Sequence, residues 1–170
     1  LYIGGDAIGQ HPMYKDLYYA VWDGSSWTVP KVVVRGVSLS DRFGSGLGSS
    51  KAVVAWAQDT DGNSSTYADR DIYYSVWDGA WSSLRPVGTD ASEDRLPAIT
   101  MDGDTARLVW VKVDETGNKS VSTIYYSTFN GEWSVPVAVT STGQVEELKL
   151  AKNAQGSPVI VWQEYDPTAS

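Results

Sequence analysis

Asp71-Ile72-Tyr73-Tyr74-Ser75-Val76-Trp77-Asp78-Gly79 decides how this chain is read, because the stretch occurs three times. Asp16-Leu17-Tyr18-Tyr19-Ala20-Val21-Trp22-Asp23-Gly24 precedes it by 55 residues, and Thr123-Ile124-Tyr125-Tyr126-Ser127-Thr128-Phe129-Asn130-Gly131 follows it by 52. Self-similarity at a fixed period marks a repeat architecture and is weighed before local propensity. Each copy is a β-type run rich in Tyr, Val and Ile, closed by an Asp-Gly or Asn-Gly dipeptide. Such dipeptides predict a type I′ hairpin turn, which needs positive φ at both central residues.

Three other segments keep the same rhythm. Ala52-Val53-Val54-Ala55-Trp56, Ala106-Arg107-Leu108-Val109-Trp110 and Pro158-Val159-Ile160-Val161-Trp162 are apolar but for Arg107, as a strand buried on both faces should be. After each repeated turn comes a segment opened by Trp27, Trp81 or Trp133 and marked by Pro30, Pro86 or Pro136. The last is clearest at Pro97–Met101 and Glu147–Ala151. No segment sustains a helical period. Four antiparallel strands in about 53 residues is the size of one propeller blade. The expected fold is therefore all-β, a partial β-propeller of about three blades' worth. Residues 1–34 hold strands 3 and 4 of one blade, 35–88 and 89–139 are blades, and 140–170 hold strands 1 and 2 of another. Solenoid units are usually shorter, and immunoglobulin-like units nearer about 100 residues. Both ends fall inside a blade, so the expectation is a segment of a longer polypeptide, with a ring completed by a second copy as the alternative.

Composition narrows the function. The chain has a net charge of -8, 20% charged residues and no Cys. No Lys/Arg cluster offers a phosphate-binding surface, so nucleic acid and anionic membrane are not expected partners. No apolar run reaches the roughly 18 residues of a membrane helix. Without Cys there is neither a disulfide framework nor a thiolate metal site. No signal peptide is visible.

The connections expected to be long are 35–44, 58–70, 88–94, 113–122 and 140–144, all on one face of the ring, which makes that face the candidate binding face. In one of these loops Asp59, Asp61 and Asn63 space oxygen donors two apart, with Asp69 and Asp71 close behind. Calcium takes six to eight oxygen ligands, and this spacing supplies several, although Gly62 and the absent twelfth-position Glu depart from an EF-hand. A polar hairpin loop explains the same residues. Asp114-Glu115-Thr116-Gly117-Asn118 is a weaker version. Asp41-Arg42 and Asp94-Arg95 recur at the entry to strand 1, near the central channel. They suit either a polar ligand held by the guanidinium fork or Asp–Arg pairs locking neighbouring blades. The third copy, Glu146-Glu147, lacks the Arg. Trp27, Trp81 and Trp133 are the aromatics to consider for stacking on a sugar. His11 stands alone, with no partner for a metal or a nucleophile. Gly44-Ser45-Gly46-Leu47-Gly48 precedes a strand, so it is no dinucleotide fingerprint. No catalytic set emerges.

The repeat resembles the sialidase-like, Asp-box propellers, whose hairpin reads Ser-x-Asp-x-Gly-x-x-Trp. Ser75-Val76-Trp77-Asp78-Gly79-Ala80-Trp81-Ser82 and Ser127-Thr128-Phe129-Asn130-Gly131-Glu132-Trp133-Ser134 are degenerate versions, with the acidic or amide residue one place late and one residue missing before the Trp. Arg95-Leu96-Pro97 resembles the family's Arg-Ile-Pro motif, but two further Arg and a Tyr–Glu pair cannot be placed. The Trp-rich blade also resembles repeats of large bacterial and archaeal surface proteins. That resemblance implies a non-enzymatic adhesion or carbohydrate-binding module, extracellular or at the cell surface, with a glycan or protein as partner. The alternatives are part of a glycosidase propeller and a purely structural segment.

Overall fold

The structure, a computed structural model, describes residues 14–61, 66, 69–116 and 119–165. Among these, every regular element is a strand. In chain order they are β1 (Tyr14–Tyr19), β2 (Lys31–Leu47), β3 (Ala52–Asp59), β4 (Arg70–Trp77), β5 (Arg85–Pro86), β6 (Glu93–Asp102), β7 (Thr105–Thr116), β8 (Lys119–Phe129), β9 (Val137–Thr142), β10 (Val145–Lys152) and β11 (Pro158–Glu164). All pairing is antiparallel, in the orders β1-β2-β3-β4-β5, β6-β7-β8-β9 and β10-β11.

β2 serves twice. Its first half, Lys31 to Ser38, pairs with β1, and its second half, Leu39 to Leu47, pairs with β3. The molecule thus divides into a leading half-sheet (β1 and the first half of β2), two four-stranded sheets (second half of β2 to β5, then β6 to β9) and a trailing half-sheet (β10 and β11). The connection expected as a loop at 35–44 is continuous strand. The one expected at 113–122 is mostly strand too, since β7 runs to Thr116 and β8 starts at Lys119. Strands are cheap to extend where the ladder can continue to satisfy backbone N–H and C=O groups. The predicted fourth strand after Trp81 shrinks to Arg85–Pro86, followed by one bond from the Val87 amide to the Ile72 carbonyl at 2.7 Å.

The turn chemistry also differs from expectation. Gly24, Gly79 and Gly131 have φ of 102°, 81° and 91°, but Asp23, Asp78 and Asn130 keep negative φ, so these are not type I′ turns. The bridges Trp77 to Trp81 and Phe129 to Trp133 close three-residue loops, and Trp22 to Trp27 a four-residue one. In the four-residue loop, the Asp23 carboxylate caps the amides of Ser25 and Ser26, both at 2.8 Å. Those bonds from Ser26 and Ser25 lower its pKa to about 2.

Three apolar cores separate consecutive sheets. On β3, Val54 and Trp56 meet Leu17 and Val37 of the leading half-sheet. The alternate residues Val53, Ala55 and Ala57 meet Ile99, Met101, Leu108 and Trp110 of the next sheet. On β7, Val109, Val111 and Val113 in turn meet Val145 and Leu148 of the trailing half-sheet. The period-2 alternation of a strand delivers apolar side chains to both sides. Fully buried Trp56, Ile72, Leu108 and Ile124 each contribute roughly 1.5–3 kcal/mol relative to exposure.

Candidate functional site

The first strands of successive sheets converge. The second half of β2 packs against β6, and β6 against β10. Close approach is possible because Gly44, Gly46 and Gly48 present backbone alone to β6. A Cβ on Gly44 would lie 2.7 Å from the Pro97 carbonyl oxygen, and one on Gly46 2.7 Å from Ile99 Cγ2. The glycine alternation set aside as a nucleotide motif therefore has a packing cause.

An open cleft lies along this convergence, walled by Arg42, Phe43, Leu96, Pro97, Glu147 and Leu150, among others. Each of the three strands carries a bulge at its entry, between Leu39 and Phe43, Arg95 and Ala98, and Val145 and Glu147. Bulges re-aim side chains and recur beside functional sites. Leu96 has φ of 53°, the one non-glycine residue with positive φ among those described. A side chain in that region costs about 1–3 kcal/mol and persists only where its surroundings hold it.

Asp94 and Arg95 form no ion pair with each other. Arg42 forms an ion pair with Glu147 across the cleft mouth, and the bonds from Lys149 and Arg42 hold the Glu147 carboxyl at about 2. The Asp41 side chain lies outside the described residues. Arg95 donates from Nη2 to the Val145 carbonyl, 3.0 Å away. Both arginines thus tie a first strand to β10. Asp94 is 5% exposed, its Oδ1 makes no hydrogen bond, and burial raises its pKa to about 7. The Lys112 ammonium, 4.0 Å away, opposes that rise without cancelling it.

Lys112, Asp90, Glu93 and Arg70 were not singled out by sequence reasoning. Lys112 pairs with Asp90 and lies over the Tyr125 ring at 5.3 Å. Arg70 pairs with Glu93 at 3.4 Å across the two four-stranded sheets. A signal existed two residues after each strand-2 Trp. Trp56 Nε1 donates to Gln58 at 3.0 Å and Trp162 Nε1 to Glu164 at 3.3 Å, but the same place after Trp110 holds Lys112, a donor. Trp110 Nε1 faces the Asp94 carboxylate instead, and favours its charged form without reaching full hydrogen-bond geometry.

Of the expected calcium ligands, Asp59, Asp61 and Asp69 come together, with oxygens within 4.8 Å of one another. Asn63 lies outside the described residues. Asp71 turns away and accepts the Asp90 amide at 3.2 Å. Burial raises Asp69, but amide bonds from Asp61 (2.9 Å) and Thr60 (3.1 Å) outweigh it and hold the carboxyl below its usual range. These bonds all fall on Asp69 Oδ2, whereas its Oδ1 is buried and makes no hydrogen bond. His11 lies outside the described residues.

Trp81 and Trp133 are half-buried and packed against the intersheet cores. Trp27 is 67% exposed, in contact with Trp22 at 5.6 Å. No protein-family model matches the chain, and no curated protein matches it.

Proposed function

We propose that the chain is a non-enzymatic β-propeller module of an extracellular or cell-surface protein, binding a glycan or a protein segment in the cleft where the first strands converge. One observation carries the reading: consecutive sheets stack face to face in chain order while β2, β6 and β10 gather on one side. Blades around an axis have that relation, with innermost strands lining the centre. The cleft suits a ligand with mixed character. Phe43, Leu96, Pro97 and Leu150 offer apolar surface, and Arg42 and Glu147 set charged groups at its edge. Binding sites commonly combine apolar walls with a few placed polar groups.

Glycan-array screening of the chain, with and without calcium, followed by titration of hits against Arg42→Ala and Phe43→Ala, tests this. At least one oligosaccharide class or peptide is expected to bind, and each variant to weaken it about tenfold, the size of one lost charged or stacking contact. Silence on every ligand, or hits untouched by both variants, would leave a purely structural role in its place.

A further inference from the structure

The two half-sheets have complementary needs. β1 is the third strand of its repeat and, among the described residues, has no neighbour on the edge where a second strand belongs. β11 is a second strand with no third strand beside it. We infer that two copies of this chain associate head to tail, with β11 of each pairing antiparallel with β1 of the other.

The intact sheets supply the register. Trp56 pairs with Tyr73, and Trp110 with Tyr125. The repeat then places Trp162 opposite Tyr18, Val161 opposite Tyr19 and Val159 opposite Val21. Exposure agrees. Trp56 is 0% and Trp110 3% exposed, but Trp162 is 40%. Val53 and Ala55 are fully buried, whereas their counterparts Val159 and Val161 are 41% and 61% exposed.

A second contact points the same way. Across the first junction Tyr19 packs on Trp77 and Trp81, at 5.5 and 5.7 Å. Across the next, Tyr74 packs on Phe129 and Trp133, at 5.6 and 5.4 Å. The series leaves one tyrosine over at the far end, Tyr126, and one aromatic pair over at the near end, Trp22 with Trp27. Head-to-tail pairing brings Tyr126 of one copy onto Trp22 and Trp27 of the other. It also covers Leu47, which is 83% exposed although its counterpart Met101 is 6% exposed.

Closure at two copies rests on the propeller reading above. Two copies supply four intact and two composite sheets, within the roughly four to eight blades a ring accommodates, whereas three copies exceed it. A head-to-tail contact that closes after one repetition gives a discrete dimer rather than a fibre.

The chain has no Cys, which allows a clean test. Light scattering should give twice 18.5 kDa. The double variant Val159→Cys/Val21→Cys should oxidise to a covalent dimer, because directly opposed Cβ atoms lie within about 4.5–5.5 Å. Val159→Cys/Ala20→Cys should not, since a one-residue offset puts the thiols on opposite faces. Leu47→Asp, a change at an exposed site, should raise the dimer dissociation constant at least about tenfold. A monomeric mass, or a disulfide formed within one chain, overturns the dimer. Hydrogen exchange separates the two readings: a monomer with β3 and β7 still protected defeats only the association, whereas unprotected β3 and β7 defeat the stacked sheets.

Discussion

At the residue scale, the convergence of β2 on β6 depends on what Gly44 and Gly46 lack. At Gly44 the obstacle to a side chain is the Pro97 backbone, but at Gly46 it is the side chains of Ile99 and Met101. Met is the most adaptable of core residues. Gly44→Ala is therefore expected to cost more stability than Gly46→Ala, within the usual overpacking range of about 1–3 kcal/mol. Urea unfolding of both variants decides it, and equal losses would mean the strands shift freely. Asp94 makes a second prediction. Its native pKa is raised by burial to about 7 from an ordinary 3.8. The folded state therefore holds a proton that the unfolded state releases between those values. The stability linked to this group is full below about pH 4 and is lost as pH rises towards 7, by roughly 2–4 kcal/mol. Asp94→Asn should flatten that part of the stability curve, measured by urea midpoints at successive pH values. An unchanged slope would mean that Asp94 stays ionised in the fold. The importance of Asp94 was legible from its recurrence with Asp41, but its partner was not. Lys112 stands 18 residues further along, and nothing in local spacing announces an ammonium reaching back across a strand pair.

At the scale of strands and turns, the repeated serines have a clear task. Ser75 Oγ donates to the Ser82 carbonyl at 2.8 Å, and Ser82 Oγ accepts the Val76 amide at 3.1 Å. Ser127 and Ser134 repeat both bonds, at 2.8 and 3.1 Å. The first copy has Ala20 in place of the donor, and there Thr28 Oγ1 takes the Val21 amide alone, at 2.9 Å. Ser127→Ala removes a buried donor and its bond to the Ser134 carbonyl and should cost about 1 kcal/mol, whereas Ala20→Ser should be neutral or stabilising. Thermal unfolding of the pair checks this. The strands themselves were readable because an alternating or fully apolar run has one periodic interpretation. The connections were less so. Nothing in 35–44 distinguishes a polar loop from an extended strand, and only the ladders on either side make β2 continuous. The hairpins were placed correctly from Asp-Gly and Asn-Gly, but their type depended on loop length, which the recurring Trp after each turn sets.

At the scale of the whole molecule, the three cores are carried by opposite faces of β3 and β7, so each sheet is stabilised by both neighbours. Trp56→Ala should therefore lower stability by about 3–5 kcal/mol and loosen the leading half-sheet with it. Calorimetry showing a loss under about 1 kcal/mol would place the indole outside the core. The succession of four-stranded antiparallel sheets followed from period and strand number, but the cleft did not, because it is assembled from residues about 50 positions apart whose bulges turn them to a common side.

The doubled role of β2 has a mechanical corollary. A single stretch of backbone joins the leading half-sheet to its neighbour with no slack between them. When the ends of the chain are pulled apart, tension applied to the first hairpin is transmitted directly into the next ladder. The two should yield together in a force trace, whereas β9 and β10, separated by Gly143 and Gln144, have a short tether that can extend first.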